Sequence, residues 1–292
     1  MGLGVRSTTV PLQGGLGNQL FQLAAGLVVG QRWDRPVLWS DYWLRNPEAG
    51  ETPRAYALDG LLRPDELISA RTGRHGWVTD RLLSSRVVER RTDDDALARV
   101  GRWTVVLAGY LQRLSYAEEA WPLLRERFAS SPHAHHRRLV AAEPAPYGAL
   151  HYRLGDYVTN AHTNAVHGVT SPDYFASVVR EKSSTLGLDD WVLVSDEPAQ
   201  ALQLLRSTDL PSGTRLRPAE GSGEWDDLVT LACARACVIS NSSFSWWGAF
   251  IGGRSRPTDV VAPRPWNVDL AAAEPTLFPP GWERHDRTVM GR

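Results

Sequence analysis

Cys237-Val238-Ile239-Ser240-Asn241-Ser242-Ser243-Phe244-Ser245-Trp246-Trp247-Gly248-Ala249 is the stretch from which the fold is read. It passes from a short apolar strand, 237–240, through a run of hydroxyls and one amide into an aromatic helix. Strand, turn and helix in that order make the repeating unit of α/β proteins. The polar run falls at the carboxyl end of the strand and at the amino end of the helix, where orphan N–H groups and the helix dipole favour an anion. Asn241, Ser242, Ser243, Phe244 and Ser245 are therefore candidate phosphate-binding residues, while Trp246 and Trp247 read as the anchor of the helix in a core.

Outward from this block the same rhythm recurs. Strands are expected at 149–152, 191–195 and 260–262, and helices at 198–206 and 226–235. Another helix opens at Ser171-Pro172-Asp173, with serine as cap and proline in the first turn, and lays Tyr174, Phe175, Val178 and Val179 on one face. Strands alternating with helices predict a parallel sheet covered on both sides. The two prolines and glycine of 143–148 separate this half from a helical, arginine-rich stretch, so we place a domain junction there: 1–146 and 147–292.

Ligands of open α/β sheets bind beyond the carboxyl ends of strands, which directs attention to three further segments. His151-Tyr152-Arg153-Leu154-Gly155-Asp156-Tyr157 closes the strand at 149–152; Arg153 suits a bidentate phosphate contact and Gly155 a close backbone approach, or Arg153 and Asp156 form a structural ion pair. Ser195-Asp196-Glu197 closes the strand at 191–195, and Asp196 reads either as a cap of the next helix or, with its neighbours, as an acceptor for a ribose or a base N–H. In the first half, Gly14-Gly15-Leu16-Gly17-Asn18-Gln19 joins a short strand to an amphipathic helix that turns Leu20, Leu23, Ala24, Leu27 and Val28 inward. The glycine turn suits a diphosphate or simple strand–helix packing, and the amides of Asn18 and Gln19 favour ligand contact. The stretch 41–95 shows no clear pattern.

Composition narrows the function classes. Hydrophobic residues make up 42% of the 292 and charged residues 22%, as in ordinary globular proteins. The 32 basic residues nearly cancel the 33 acidic ones, which excludes a whole-molecule field for nucleic acid or an anionic membrane. Lys182 is the only lysine, and a chain this rich in arginine makes any one arginine weak evidence by itself. Two cysteines, Cys233 and Cys237, read as small buried residues of a protein from a reducing compartment. No stretch approaches the roughly 20 apolar residues that span a bilayer, and the first nine residues lack a signal-peptide core. A cytoplasmic location is expected, peripheral to the inner membrane face at most. His133, His135 and His136 beside Arg137 and Arg138 read as an exposed charged helix, and Asp93-Asp94-Asp95 as helix capping, so no metal site is assigned.

Taken together, these segments resemble the family 11 glycosyltransferases, the α-1,2-fucosyltransferases of bacterial type. The resemblance rests on Gly14 to Gln22, on His151 to Tyr157, on His167-Gly168-Val169 leading to Asp173-Tyr174-Phe175, and on Ser195-Asp196-Glu197. Asp227-Leu228, Ser240 to Gly248 and Ala262-Pro263-Arg264-Pro265-Trp266 extend it to nearly the whole chain. It implies a GT-B-like α/β fold, two Rossmann-like domains facing across a cleft, with 1–146 on the acceptor side and 147–292 binding the GDP-sugar. It also implies inverting transfer of fucose from GDP-fucose to an acceptor glycan, with the 2-hydroxyl of a terminal galactose as the expected target and neither a cofactor nor a metal required. By the same resemblance Arg153, His151 and Asp156 form the catalytic set, with Asp156 as candidate base or as the partner that orients Arg153. Gly15, Gly17, Asn18, Gln19, Asn241, Ser242, Ser243, Phe244 and Ser245 would surround the diphosphate, and Ser195, Asp196, Glu197 and Asp227 the nucleoside. Leu154 stands where the family has a second arginine, and Glu197 where it has an aspartate. Those departures keep open a different GDP-sugar or linkage and a non-catalytic GDP- or glycan-binding module.

Overall fold

The structure, a computed structural model, describes residues 7–46, 53–68, 85–89, 95–101, 103–268 and 276–290. Its contacts divide the chain into two compact units, Met1–Pro132 with Pro275–Leu277 and His133–Glu274 with Phe278–Arg292. The division therefore falls at 132–133 and not at 146–147. The helix Ala134–Ala141 packs on the second unit's helices Glu224–Cys233 and Ser243–Ser255. Arg256 fixes it there, donating to the carbonyls of Leu139 and Ala142 at 2.9 to 3.1 Å. The proline segment is no linker, since a strand begins at Ala145 within it.

In the first unit, β1 (Thr8–Pro11), β2 (Val37–Ser40), β3 (Leu67–Ile68), β4 (Ser85–Val88) and β5 (Thr104–Ala108) form a parallel sheet in the order β3-β2-β1-β5-β4. The chain leaves β1 toward β2 and β3, then returns on the other side. The step from β4 to β5 runs in the same direction as the steps from β1 to β3, and the helices Leu16–Trp33 and Leu114–Ser130, which follow β1 and β5, pack on each other. The helix Leu16–Trp33 follows β1, and every residue from Gln19 to Val29 is buried, so it is not amphipathic as expected. Its polar members survive burial because backbone groups satisfy them: Gln22 accepts from the Gln13 N–H and donates to the Gly109 carbonyl, both at 3.0 Å.

In the second unit, β6 (Ala145–Tyr152), β7 (Asp190–Ser195), β8 (Arg215–Pro218), β9 (Ala234–Val238), β10 (Asp259–Arg264) and β11 (Glu283–Asp286) form a parallel sheet in the order β11-β10-β9-β6-β7-β8. Here the direction of winding reverses between β6 and β9. The helix Pro172–Leu186 starts as its sequence dictates: the Ser171 hydroxyl accepts from the Asp173 N–H at 3.3 Å, and the chain leaves it at Gly187 with φ 65°. Its inward face, Tyr174, Phe175, Val178 and Val179, packs with Leu150, Tyr152, Trp191 and Leu193 in one core. Cys233 and Cys237 are free and buried, as small core residues should be.

Two Rossmann-like units, each on a parallel sheet, are the components of a GT-B-like fold. Among the described residues, no helix is long and apolar enough to cross a membrane.

Candidate active site

The expected motifs meet at the second sheet's reversal point. His151 lies near the carboxyl end of β6, and Ser240 follows β9. The Ser240 N–H donates to the His151 carbonyl at 3.1 Å, and His151 Nδ1 lies 2.8 Å from Ser240 Oγ. Phe244 covers the imidazole with ring centroids 5.4 Å apart. Burial, with the Arg153 charge adding to it, pushes the His151 pKa down to about 3, so the ring is neutral. His151 is only 3% exposed, and its Nδ1 holds Ser240 and the loop beyond it.

Arg153 emerges from the same strand end. Its Nε and one terminal nitrogen donate to Asp156 Oδ1 at 3.0 and 2.7 Å, and its other terminal nitrogen lies 3.2 Å from Asp196 Oδ2. Burial alone would lower its pKa, but the two carboxylates outweigh that and hold it above the ordinary arginine value. The guanidinium is a fixed cation with its side chain 21% exposed and N–H donors to spare. Of the two roles open to Asp156, the geometry favours orienting Arg153.

Asp196 is not the cap of the helix Pro198–Arg206, a place taken by Glu197. Its Oδ1 accepts from the Leu154 N–H at 3.0 Å, which turns the carboxylate toward the Arg153 loop. Gly155 leaves room there for that carboxylate, since a β-carbon at its position would stand 2.1 Å from Asp196 Oδ2 and would displace it. The close approach expected at Gly155 is thus made by a carboxylate of the chain itself. Leu154 is 1% exposed and belongs to the core with Leu150 and Tyr152. The place of the family's second arginine is an interior one in this chain.

The block after β9 divides into an inner and an outer set. Asn241, 2% exposed, donates to the His167 carbonyl at 2.9 Å, and its own carbonyl accepts from the Tyr157 hydroxyl at 2.9 Å. Ser245 is fully buried, its hydroxyl directed to the carbonyls of Ser240 and Ser242 at 3.3 and 3.2 Å. Both side chains therefore hold the loop rather than line a phosphate site, a correction to their expected role. Ser242 caps the helix Ser243–Ser255 without a side-chain bond. Ser243 and Phe244 are the members left partly exposed, at a helix start whose first N–H groups have no intrahelical acceptor. Trp246 and Trp247 are fully buried, as expected of anchors.

Arg287 was not singled out in the sequence, being one arginine among many. It is 6% exposed and donates to the carbonyls of Pro265, His167, Gly168 and Trp266 at 2.6 to 3.1 Å. It also reaches Thr170 Oγ1 at 2.9 Å and Asn241 Oδ1 at 3.4 Å. One side chain ties three loops at this edge of the sheet.

Among the nucleoside candidates, the Ser195 hydroxyl donates to the Tyr152 carbonyl at 2.7 Å and accepts from the Glu197 N–H at 3.1 Å, while Glu197 is exposed. Asp227 stands apart, on the helix that follows the edge strand β8. Burial, then the charges of Asp226 and Glu224, push its carboxyl up to about 6.

The glycine turn belongs to the first unit. Gly14 has φ 74°, which favours glycine, whereas above Gly15 nothing lies within 4 Å of where a β-carbon would stand. Gly17 is buried in the first turn of the helix. Asn18 Oδ1 accepts from Gln112 Nε2 at 2.7 Å. Gln19 is fully buried, giving both amide hydrogens to the carbonyls of Gly14 and Ala55 at 2.9 and 2.8 Å and accepting from the Ala57 N–H. Its expected contact with the diphosphate is corrected: it is a brace for the segment at 55–57.

The histidine segment is not wholly exposed as expected. His136 is fully buried, edge-on to Trp225 at 4.0 Å, and burial with the neighbouring histidines lowers its pKa to about 3. Asp95 caps the short turn Ala96–Arg99 through the Ala98 N–H, while Asp93 and Asp94 lie outside the described residues. Among the described residues, the ligand atoms of Glu181, Glu283 and His285 gather within 4.8 Å beside the amino end of β11. Lys182 already occupies that group, its Nζ 2.5 Å from Glu283 Oε1.

Arg153 at the end of β6, braced by two carboxylates, and the helix start that follows β9 thus lie on the two strands between which the second sheet reverses. A profile of Glycosyl transferase family 11 matches residues 72–285. The O-antigen biosynthesis glycosyltransferase WbnK of Escherichia coli is 30% identical over 132 residues, 45% of this chain and 43% of that protein. An alpha-1,2-colitosyltransferase of Escherichia coli is 26% identical over 141 residues, 48% of this chain and 47% of that protein. The chain thus spans less than half the length of these curated relatives in the matched regions. A solved structure of POFUT1 in complex with GDP-fucose superposes with a TM-score of 0.44 and 11% identity, over 87% of this chain and 97% of that one, too distant to transfer residue roles.

Proposed function

The chain belongs to glycosyl transferase family 11, and from that premise we propose that it moves fucose from GDP-fucose to a hydroxyl of an acceptor glycan, in the first instance the 2-hydroxyl of a terminal galactose. The observation that supports this reading is Arg153, fixed by Asp156 and Asp196 at the reversal point of the second sheet, where the helix Ser243–Ser255 follows the neighbouring strand β9. As the bond from the sugar to GDP breaks, negative charge grows on the leaving diphosphate. A preorganised guanidinium and helix N–H groups stabilise that charge more in the transition state than before it, which lowers the barrier.

With that charge met by the protein, the reaction is proposed to need no divalent ion. Attack from the opposite face inverts the anomeric centre. In a loose, oxocarbenium-like transition state the acceptor hydroxyl gives up its proton late, to water or to the departing phosphate. Asp156 then serves by orienting Arg153, and Ser243, Phe244 and the exposed Glu197 are proposed to meet the donor.

A second reading has a specific motive: one relative is named as a transferase of colitose, so the donor sugar of this chain is open within the same chemistry. Incubation with GDP-fucose and, separately, GDP-colitose across a panel of β-galactosides, with products read by mass spectrometry and the linkage by NMR, decides between the two. Product from neither donor, in a folded enzyme that binds GDP, would sink both.

A further inference from the structure

We infer that Tyr157 is the positioning residue that holds the Arg153 guanidinium in register with the start of the helix Ser243–Ser255, so that the two meet one diphosphate together; this rests on the transfer reading above.

The topology creates the need. Arg153 follows β6 and the helix start follows β9; the two strands are neighbours in the sheet, yet between them the chain passes through β7 and β8. Two groups that neutralise one leaving charge act together only if their placement is fixed before that charge develops. Pairing of the strands fixes the backbone. It leaves a long arginine side chain and the first peptides of a helix to be fixed by other contacts.

Asp156 and Asp196 fix the arginine in part. Their bonds reach Nε and both terminal nitrogens, and carboxylate bonds of that kind run close to the plane of the guanidinium, so they settle its position within that plane. The face of the group needs a separate support. Tyr157, on the short helix Gly155–Thr159, supplies it: Arg153 Cζ stands over the ring, 5.8 Å from its centroid and within cation–π reach.

The same ring is tied to the neighbouring strand. Its hydroxyl donates to the Asn241 carbonyl at 2.9 Å, and Asn241 directly precedes Ser242, the cap of the helix. Holding that carbonyl sets the peptide between 241 and 242, and with it the direction from which the helix starts. Burial raises the phenol pKa, so the hydroxyl keeps its proton and stays a donor. His167 stacks on the ring with centroids 4.9 Å apart and planes within 8°, and its carbonyl takes the Asn241 amide at 2.9 Å. Asn164 secures the Tyr157 carbonyl at 2.7 Å, so the ring has little room to swing.

The test is a double-mutant cycle on the full chain, with Tyr157→Phe and Tyr157→Leu each made in wild type and in Arg153→Ala. Turnover is measured with whichever of the two GDP-sugars the wild type transfers, GDP affinity by calorimetry and stability by melting temperature. In wild type, Tyr157→Phe is expected to lower turnover about tenfold and GDP affinity about threefold, the scale of one lost hydrogen bond. Tyr157→Leu, which removes the ring as well, should lower turnover further. Beside Arg153→Ala, either change should cost less than about threefold in turnover, because no guanidinium is left to hold in register. The loss of melting temperature should be alike in both backgrounds. Tyr157→Phe keeps the ring in the core and decides the matter if Tyr157→Leu does not fold. Equal losses of turnover in both backgrounds overturn the inference, since they would make Tyr157 a support of the fold alone, and so does unchanged turnover in Tyr157→Phe. A wild type that transfers from neither donor defeats the transfer reading instead, and the cycle read in GDP affinity then decides the positioning.

Discussion

Nδ1 of His151 lies 2.8 Å from Oγ of Ser240 and so joins β6 to the loop after β9, across the point where the second sheet reverses. Burial keeps the imidazole neutral. His151 has a folded pKa of about 3 against an ordinary value of about 6.5, and His136 is lowered in the same way.

A pH dependence of stability follows. A histidine lowered on folding binds fewer protons in the folded than in the unfolded state between the two values. Its contribution is therefore complete above about pH 6.5 and lost as pH falls toward about 3. For His151 alone, the loss from pH 7.5 to 5 is about 2 kcal/mol. Denaturant unfolding at pH 7.5 and 5 should show it, and His151→Gln should reduce the difference. An equal difference in wild type and variant would mean that the imidazole is charged or exposed when folded.

Arg153 and Leu154 are expected to respond in opposite ways. Arg153→Ala should lower turnover by about 10²- to 10³-fold, as for the loss of one preorganised charge-stabilising donor. Arg153→Lys should also be poor, because an ammonium cannot engage Asp156, Asp196 and a phosphate with one planar fork. Leu154→Arg should unfold the second unit more easily, by about 3 kcal/mol or more, without raising GDP affinity. Steady-state rates, calorimetry and melting curves on the three variants check this, and a fully active Arg153→Ala enzyme would remove the guanidinium from the mechanism.

The serine block should split by orientation. Ser243→Ala is expected to weaken GDP binding about tenfold with little change in stability. Ser245→Ala should leave GDP affinity alone and cost about 1 kcal/mol of stability, since its hydroxyl bonds only to carbonyls of its own loop. Equal GDP affinities for both variants and wild type would return the block to a purely structural role.

Activity should persist in excess EDTA, because Arg153 and the helix start are proposed to carry the charge that a divalent ion carries elsewhere. Loss of transfer that Mn²⁺ or Mg²⁺ restores would contradict that division of labour.

The fold was legible where one physical signal dominated. Ser171-Pro172 marks the start of a helix by its cap and first turn, and the helix Pro198–Arg206 has the bounds read from its sequence. The strands β8, Arg-Leu-Arg-Pro, and β11, Glu-Arg-His-Asp, were missed because they are edge strands. With partners on one side only, they carry no apolar alternation to read.

At the site the error ran in one direction. Gln19, Asn241 and Ser245 were read as ligand contacts because they are polar and well placed along the chain. Each is buried and satisfied by protein groups. Sequence pattern reveals that a polar group needs a partner but not which carbonyl supplies it, and Arg287 escaped notice for the same reason.

Arg287 has a further consequence. Through one guanidinium, the backbone at 167–170, at 265–266 and at Asn241 shares a single fastening. Segments fastened in that way do not fray one at a time. They open as one cooperative unit, so hydrogen exchange across all three should report a common opening free energy, and the reactive edge of the second sheet is either assembled whole or absent.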